Sequence, residues 1–109
     1  MKKAVLRPRA EIDLIEVTQW YADQGGLALG ERFFDLARAA VQRIENSPGL
    51  GSPRWAAFAD MPGLRSWPVD HFPVRWCYLE RPDYIDVLRL LGERRDLEAI
   101  LPAESPDAG

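Results

Sequence analysis

The segments LRSWPV at residues 64–69, VRWCYLE at 74–80 and YIDVLRLL at 84–91 decide the fold. Each is short, and each is rich in the aromatic and β-branched residues that fit a pleated surface. Asp70 to Pro73 and Arg81-Pro82-Asp83 separate them, with proline placed where no ladder donor is needed. Strands joined by connections this short pair antiparallel, so a three-stranded meander forms the core of the C-terminal half.

Upstream the hydrophobic period changes. Lys3 to Arg7 alternates as a short strand, and Pro8 suits the first turn of a helix that runs to about Gln24. Ala10, Leu14, Val17 and Tyr21 fall at helical spacing among Glu11, Asp13, Glu16 and Gln19, and Gly25-Gly26 stops the helix. A second helix spans about Ala28 to Asn46, where Phe33, Leu36, Ala37, Ala40, Val41 and Ile44 form one stripe. Two antiparallel helices on a glycine turn leave a combined apolar face that needs a cover, and the meander supplies it. The expected class is α+β: an N-terminal strand and an antiparallel helical hairpin packed on a small antiparallel sheet, in the order β-α-α-β-β-β.

A length of 109 residues suits one domain, placed at residues 1–101, with 102–109 as a mobile tail of proline, small and acidic residues. Residues 48–62 are rich in Gly and Pro and read as an ordered loop anchored by Trp55 and Phe58. A hydrophobic fraction of 47% with 28% charged residues fits a soluble globular chain, and no apolar run approaches the roughly 20 residues of a membrane helix. The basic stretch Met1 to Ile12 lacks a continuous apolar segment, so no secretory signal is visible and a cytoplasmic location is expected. Cys77 is the one cysteine, which excludes an internal disulfide and a cysteine-based metal site. No metal or cofactor is expected. A formal charge of −3 argues against direct nucleic-acid binding as the main task.

Chemistry-bearing residues are few. His71, the sole histidine, sits in a turn and reads as an exposed turn residue, with no second catalytic group beside it. Arg65, Arg75, Arg89, Arg94 and Arg95 stand out, because a guanidinium in a small sheet must be paired or must face a solvated surface. Strict alternation groups Arg75 with Cys77 and Leu79, and Arg89 with Ile85, Val87 and Leu91. Ion pairing to Asp86, Glu93 or Asp96 would satisfy these arginines structurally; as a functional set they would occupy the sheet face away from the helices. Of four tryptophans, Trp20, Trp67 and Trp76 are the candidates for partner contact, since amphipathic rings complete cores but also anchor interfaces.

The order of elements, with Ala10, Asp13-Leu14, Val17 and Ala22, then Phe33 and Ile44, then Ser47-Pro48 and Gly51, resembles the RelE/ParE toxin superfamily and specifically its ParE branch. Gly63-Leu64-Arg65, Val69, Phe72-Pro73, Tyr78, Ile85, Leu88-Arg89-Leu90-Leu91 and Arg95-Asp96 extend the match over about residues 3–101. The chain departs from the family pattern at Gly92-Glu93, where a His-Gly pair is common, and at Val74, where a Tyr usually stands.

The resemblance implies the toxin of a type II toxin-antitoxin module, of the kind that stabilises plasmids, neutralised by a ParD-like antitoxin that folds onto an exposed apolar groove. ParE-like members inhibit DNA gyrase by trapping it on broken DNA, whereas RelE-like members cleave messenger RNA on the ribosome. Cleavage through a 2′-hydroxyl needs a general base, a general acid and cations near the phosphorane. No lysine follows Lys3, and no His, Tyr, Lys or Arg follows Arg95. Gyrase inhibition without an enzymatic site is therefore the expected activity; the alternatives are a ribosome-dependent RNase and a non-toxic antitoxin-binding homologue.

Overall fold

The structure, a computed structural model, describes residues 1–57 and 59–92. Arg94, Arg95, Phe58 and the expected tail at 102–109 lie outside the described residues. The elements are β1 (Ala4–Leu6), α1 (Pro8–Gly25), α2 (Leu27–Asn46), a short 3-10 turn (Pro48–Leu50), β2 (Arg65–Pro68), β3 (Arg75–Glu80) and β4 (Ile85–Leu91). This is the expected β-α-α-β-β-β order of an α+β fold. Element ends fall within a residue or two of the positions read from sequence.

One four-stranded sheet has the order β1-β4-β3-β2. The meander is antiparallel, and β1 adds to it in parallel beside β4, pairing Ala4 with Ile85 and Leu6 with Val87. The sheet is thus mixed, and β4 is central, which is why all seven of its residues are buried. Pro8 opens α1 at a position whose N–H would be unpaired in any case. Gly26, at φ 94°, is the single residue between the helices and adopts a backbone angle that L side chains avoid. At Gly30 a Cβ would come within 2.8 Å of the Ala22 Cβ, so glycine there lets the two helices touch.

Two clusters fill the molecule, one on each side of the sheet. Ala10, Phe33, Ala37, Ala40 and Ile44 of the helices pack on Val74, Trp76, Tyr78, Ile85, Val87 and Leu90. On the opposite side Cys77, Leu79, Leu88 and Leu91 are covered by Met61 and Leu64, with Trp55, Ala56 and Ala59 around them. The 48–62 loop, expected to be ordered, therefore covers the outer sheet face. Burial pushes the Cys77 thiol up to about 12, so it is protonated and inert at neutral pH.

Strict alternation fails once, at β4. Cys77 faces Arg89 but the next pair is Tyr78 with Val87, so Leu88 has no opposite partner and the strand bulges there. The extra residue changes the phase. Leu91 joins the outer cluster while Ile85 and Val87 stay with the helices, so the expected grouping of Arg89 with all three does not form.

Candidate target-contact and partner-binding surfaces

The described arginines do not make one face. Arg65 pairs across the ladder with Tyr78 and thus lies on the helix side, whereas Arg75 pairs with Leu91 and lies on the outer side. Arg89 is 3% exposed and turns to helix α1. The expectation of a common arginine surface away from the helices does not hold: Arg75 lies on that side, but Arg65 faces the helices and Arg89 is bonded to Asp13 of α1. The physical reason is the pleat for the first two, since positions 65 and 75 have ladder partners on opposite faces; Arg89 has its ladder partner Cys77 in the outer cluster and is drawn to α1 by the Asp13 carboxylate.

Arg89 donates through Nε to Asp13 Oδ2 at 2.7 Å and through a terminal nitrogen to Oδ1 at 3.0 Å. The Leu90 N–H also donates to Asp13 Oδ2 at 3.0 Å. β1 accompanies β4 only as far as Val87, whose carbonyl accepts from the Arg7 N–H, and beyond that point the β4 edge needs another acceptor. Asp13 provides it, so one carboxylate closes the sheet edge and neutralises the buried guanidinium. The available signal in sequence was an acid one turn after Ala10 and one before Val17, on the apolar side of the helix.

Arg65 donates to the Gly51 carbonyl at 2.7 Å. The Tyr78 hydroxyl accepts from the Gly51 N–H at 3.1 Å and donates to the Pro48 carbonyl at 2.5 Å. A Cβ on Gly51 would collide with the Tyr78 hydroxyl, so glycine is required for this close approach. Burial raises the Tyr78 pKa, with the Gly51 hydrogen bond and the Arg65 charge opposing it. Pro48, Gly51, Arg65 and Tyr78, scattered in sequence, thus become one cluster that ties the end of α2 to the sheet. Ser52 and Ser66 exchange backbone hydrogen bonds of 2.8 and 2.9 Å beside it, covering the outer edge of β2.

Arg75 donates to Ser66 Oγ at 3.0 Å and lies 5.6 Å from the centre of the Trp55 ring. Partial burial pulls its guanidinium below the ordinary range, against the favourable Cys77 and with the nearby Arg54 adding to the effect. No carboxylate bonds to Arg65 or Arg75 among the described residues. At the other end of the sheet, Arg7 and Arg81 both grip Asp86, at 3.0 Å each from their terminal nitrogens. Burial alone pushes the Asp86 carboxyl up, but these two arginines outweigh it and hold the group below its ordinary value.

The three tryptophans divide as well. Trp76 is fully buried and its indole N–H donates to the Ala37 carbonyl at 3.0 Å, so it is a core residue and presents nothing to a partner. Trp67 is half-buried, with the Arg43 guanidinium 6.0 Å from its ring. Trp20 is 56% exposed on α1, together with Ile12 and Ile15, and stands edge-on to Tyr21. Beside it Glu16, Val17, Tyr21, Pro73, Val74 and Gly92 line an apolar groove of about 440 Å³. A second groove of about 560 Å³ lies between the helices and β1, lined by Leu6, Leu14, Phe34, Arg38 and Val41 among others. His71, at φ 69°, is exposed on the turn and borders a depression formed by Glu31, Arg32 and Asp35 of α2. Among the described residues no group of three or more His, Cys, Asp or Glu side chains could hold a metal ion.

The chain is thus a glycine-hinged helical hairpin on a small mixed sheet, tied together by the Pro48–Gly51–Arg65–Tyr78 cluster. The family described as "ParE toxin of type II toxin-antitoxin system, parDE" matches residues 4–97, and the chain belongs to it. Among solved structures it is similar to one described as the chromosomal ParDE toxin-antitoxin system from P. aeruginosa, at 17% identity over 84% of this chain and 96% of that one, with a TM-score of 0.72. At that identity the likeness is one of fold. No curated protein matches the chain. Among the described residues no helix is long and apolar enough to cross a membrane.

Proposed function

We propose that this ParE-family toxin inhibits DNA gyrase in the cytoplasm and is neutralised by a ParD-like antitoxin that seats apolar side chains on the helical hairpin. Membership in the ParE family over residues 4–97 carries this reading. The dispersal of the arginines supports it over RNA cleavage, because a phosphorane needs cations and a proton carrier converging on one point. Arg65 and Arg75 lie on opposite sides of the sheet, Arg89 is sealed against Asp13, and His71 faces α2. The exposed Trp20, Ile12 and Ile15 and the apolar groove beside Trp20 supply the kind of surface an amphipathic antitoxin segment covers, and the second groove adds Lys3, Glu11, Arg38 and Glu45 around its apolar residues.

The test is induction of the chain alone in a bacterium, with DNA and RNA examined in the arrested cells. Filamentation with DNA-damage signalling and intact transcripts is the expected result. Rapid transcript cleavage would move the activity to the ribosome, and growth without arrest would reduce the protein to an antitoxin-binding homologue.

A further inference from the structure

Arg7, Arg75 and Arg89 use the same edge of the guanidinium, Nε and one terminal nitrogen, but not on the same kind of partner. Arg7 and Arg89 place it on the carboxylates of Asp86 and Asp13. Arg75 places it on Ser66, with Nε donating to Oγ at 3.0 Å and a terminal nitrogen donating to the carbonyl at 3.3 Å. Arg75 is thereby fixed in direction without being neutralised. Its other edge, where the two terminal nitrogens point the same way, is the fork that takes a planar anion end-on.

The surroundings hold that fork still. Ser66 is 2% exposed, and its backbone is pinned to Ser52 by hydrogen bonds of 2.8 and 2.9 Å. The Trp55 ring packs on the outer cluster and lies 5.6 Å from the guanidinium carbon, which limits its swing. Exposed Arg54 adds a second positive charge: burial lowers the Arg75 pKa and the Arg54 charge lowers it further. Among the described residues neither guanidinium bonds to a carboxylate. Two positioned cations that repel each other in the free protein are relieved by one shared anion.

We propose that Arg75 and Arg54 form a carboxylate-binding site on the outer side of the sheet, which takes an Asp or Glu side chain of a protein partner on the Arg75 fork. A protein acid suits it better than a nucleic-acid backbone, because two cations are few to hold a polyphosphate against a formal charge of −3. The Trp20 groove lies on the helix side, so this contact is separate from the one proposed for the antitoxin and does not depend on gyrase being the target.

The probe is an acetylated and amidated tetraglutamate peptide, added to the isotope-labelled full chain and followed by NMR. At millimolar peptide the Trp55 indole and Arg75 Nε–H signals should shift, with the Trp76 indole unmoved, and tetraglutamine should shift neither. Arg75→Gln should weaken the Trp55 response about tenfold through loss of the charge-assisted hydrogen bonds. Arg75→Lys, which keeps the charge but has no fork, should weaken it as well. An unmoved Trp76 signal in each variant reports that the fold is intact. No Trp55 shift at millimolar peptide, or an equal response in Arg75→Gln, would overturn the proposal. Tighter binding of an oligothymidylate strand than of the peptide at the same signals would also overturn it, by making the ligand a phosphate.

Discussion

Asp13 does two tasks with one carboxylate, and that makes it the residue whose loss is felt most. Asp13→Ala removes two hydrogen bonds from a guanidinium at 3% exposure and unpairs the Leu90 N–H. Breaking one side of a buried ion pair costs about 3–5 kcal/mol. The urea midpoint of Asp13→Ala should fall accordingly, while the double change Asp13→Leu with Arg89→Leu should fall by clearly less than the two single changes added together. Additive losses would mean that the pair is not coupled. Tyr78→Phe removes the partner of the Gly51 N–H and should cost about 1–3 kcal/mol by the same measurement. Asp86 gives the molecule an acid limit. Its folded pKa lies below the unfolded value of 3.8, so the unfolded chain binds the proton first as pH falls. The stability it contributes is fully present above the unfolded value and is lost as pH drops through the folded one. Melting temperature followed from pH 7 into acid should show that decline in the parent, and Asp86→Asn should start less stable and decline less.

At the scale of elements, the helical hairpin depends on the contact at Gly30. Gly30→Val would drive methyl groups into Ala22 and Thr18, so it should destabilise by about 1–3 kcal/mol in a thermal melt, whereas Gly49→Ala, with open space around it, should be nearly neutral. His71→Asn keeps a residue that tolerates the left-handed turn and should leave both stability and growth arrest unchanged. Loss of arrest without loss of fold would point to a proton-transfer role for His71.

These elements were legible in sequence because periodicity and punctuation agreed: Pro8, Gly26 and the proline-bearing turns stand where the chain changes direction. What was hidden has a common cause, which is long sequence separation. The Asp13–Arg89 pair joins positions 76 residues apart, and the parallel seating of β1 on β4 joins the two ends of the described fold. A bulge adds a residue without any composition mark, so the change of phase between Val87 and Arg89 could not be read from alternation. Trp76 was ambiguous for a different reason: an indole serves a core or an interface equally well until its N–H partner, here the Ala37 carbonyl, is known.

At the scale of the whole molecule, a sheet covered on one side by helices and on the other by the 48–62 loop leaves Ile12, Ile15 and Trp20 of α1 exposed beside the apolar groove. In the proposed function this surface takes an antitoxin and the toxic effect falls on gyrase. Trp20→Ala, at an exposed position, should leave the unfolding free energy within about 0.5 kcal/mol of the parent and weaken antitoxin binding by a measurable factor in calorimetry. The most direct measurement of the central claim is supercoiling of relaxed plasmid by purified DNA gyrase with increasing amounts of this protein. Falling supercoiling with cleaved DNA held by the enzyme, reversed by the antitoxin, is the expected result. Full supercoiling at high molar excess of folded protein would contradict it.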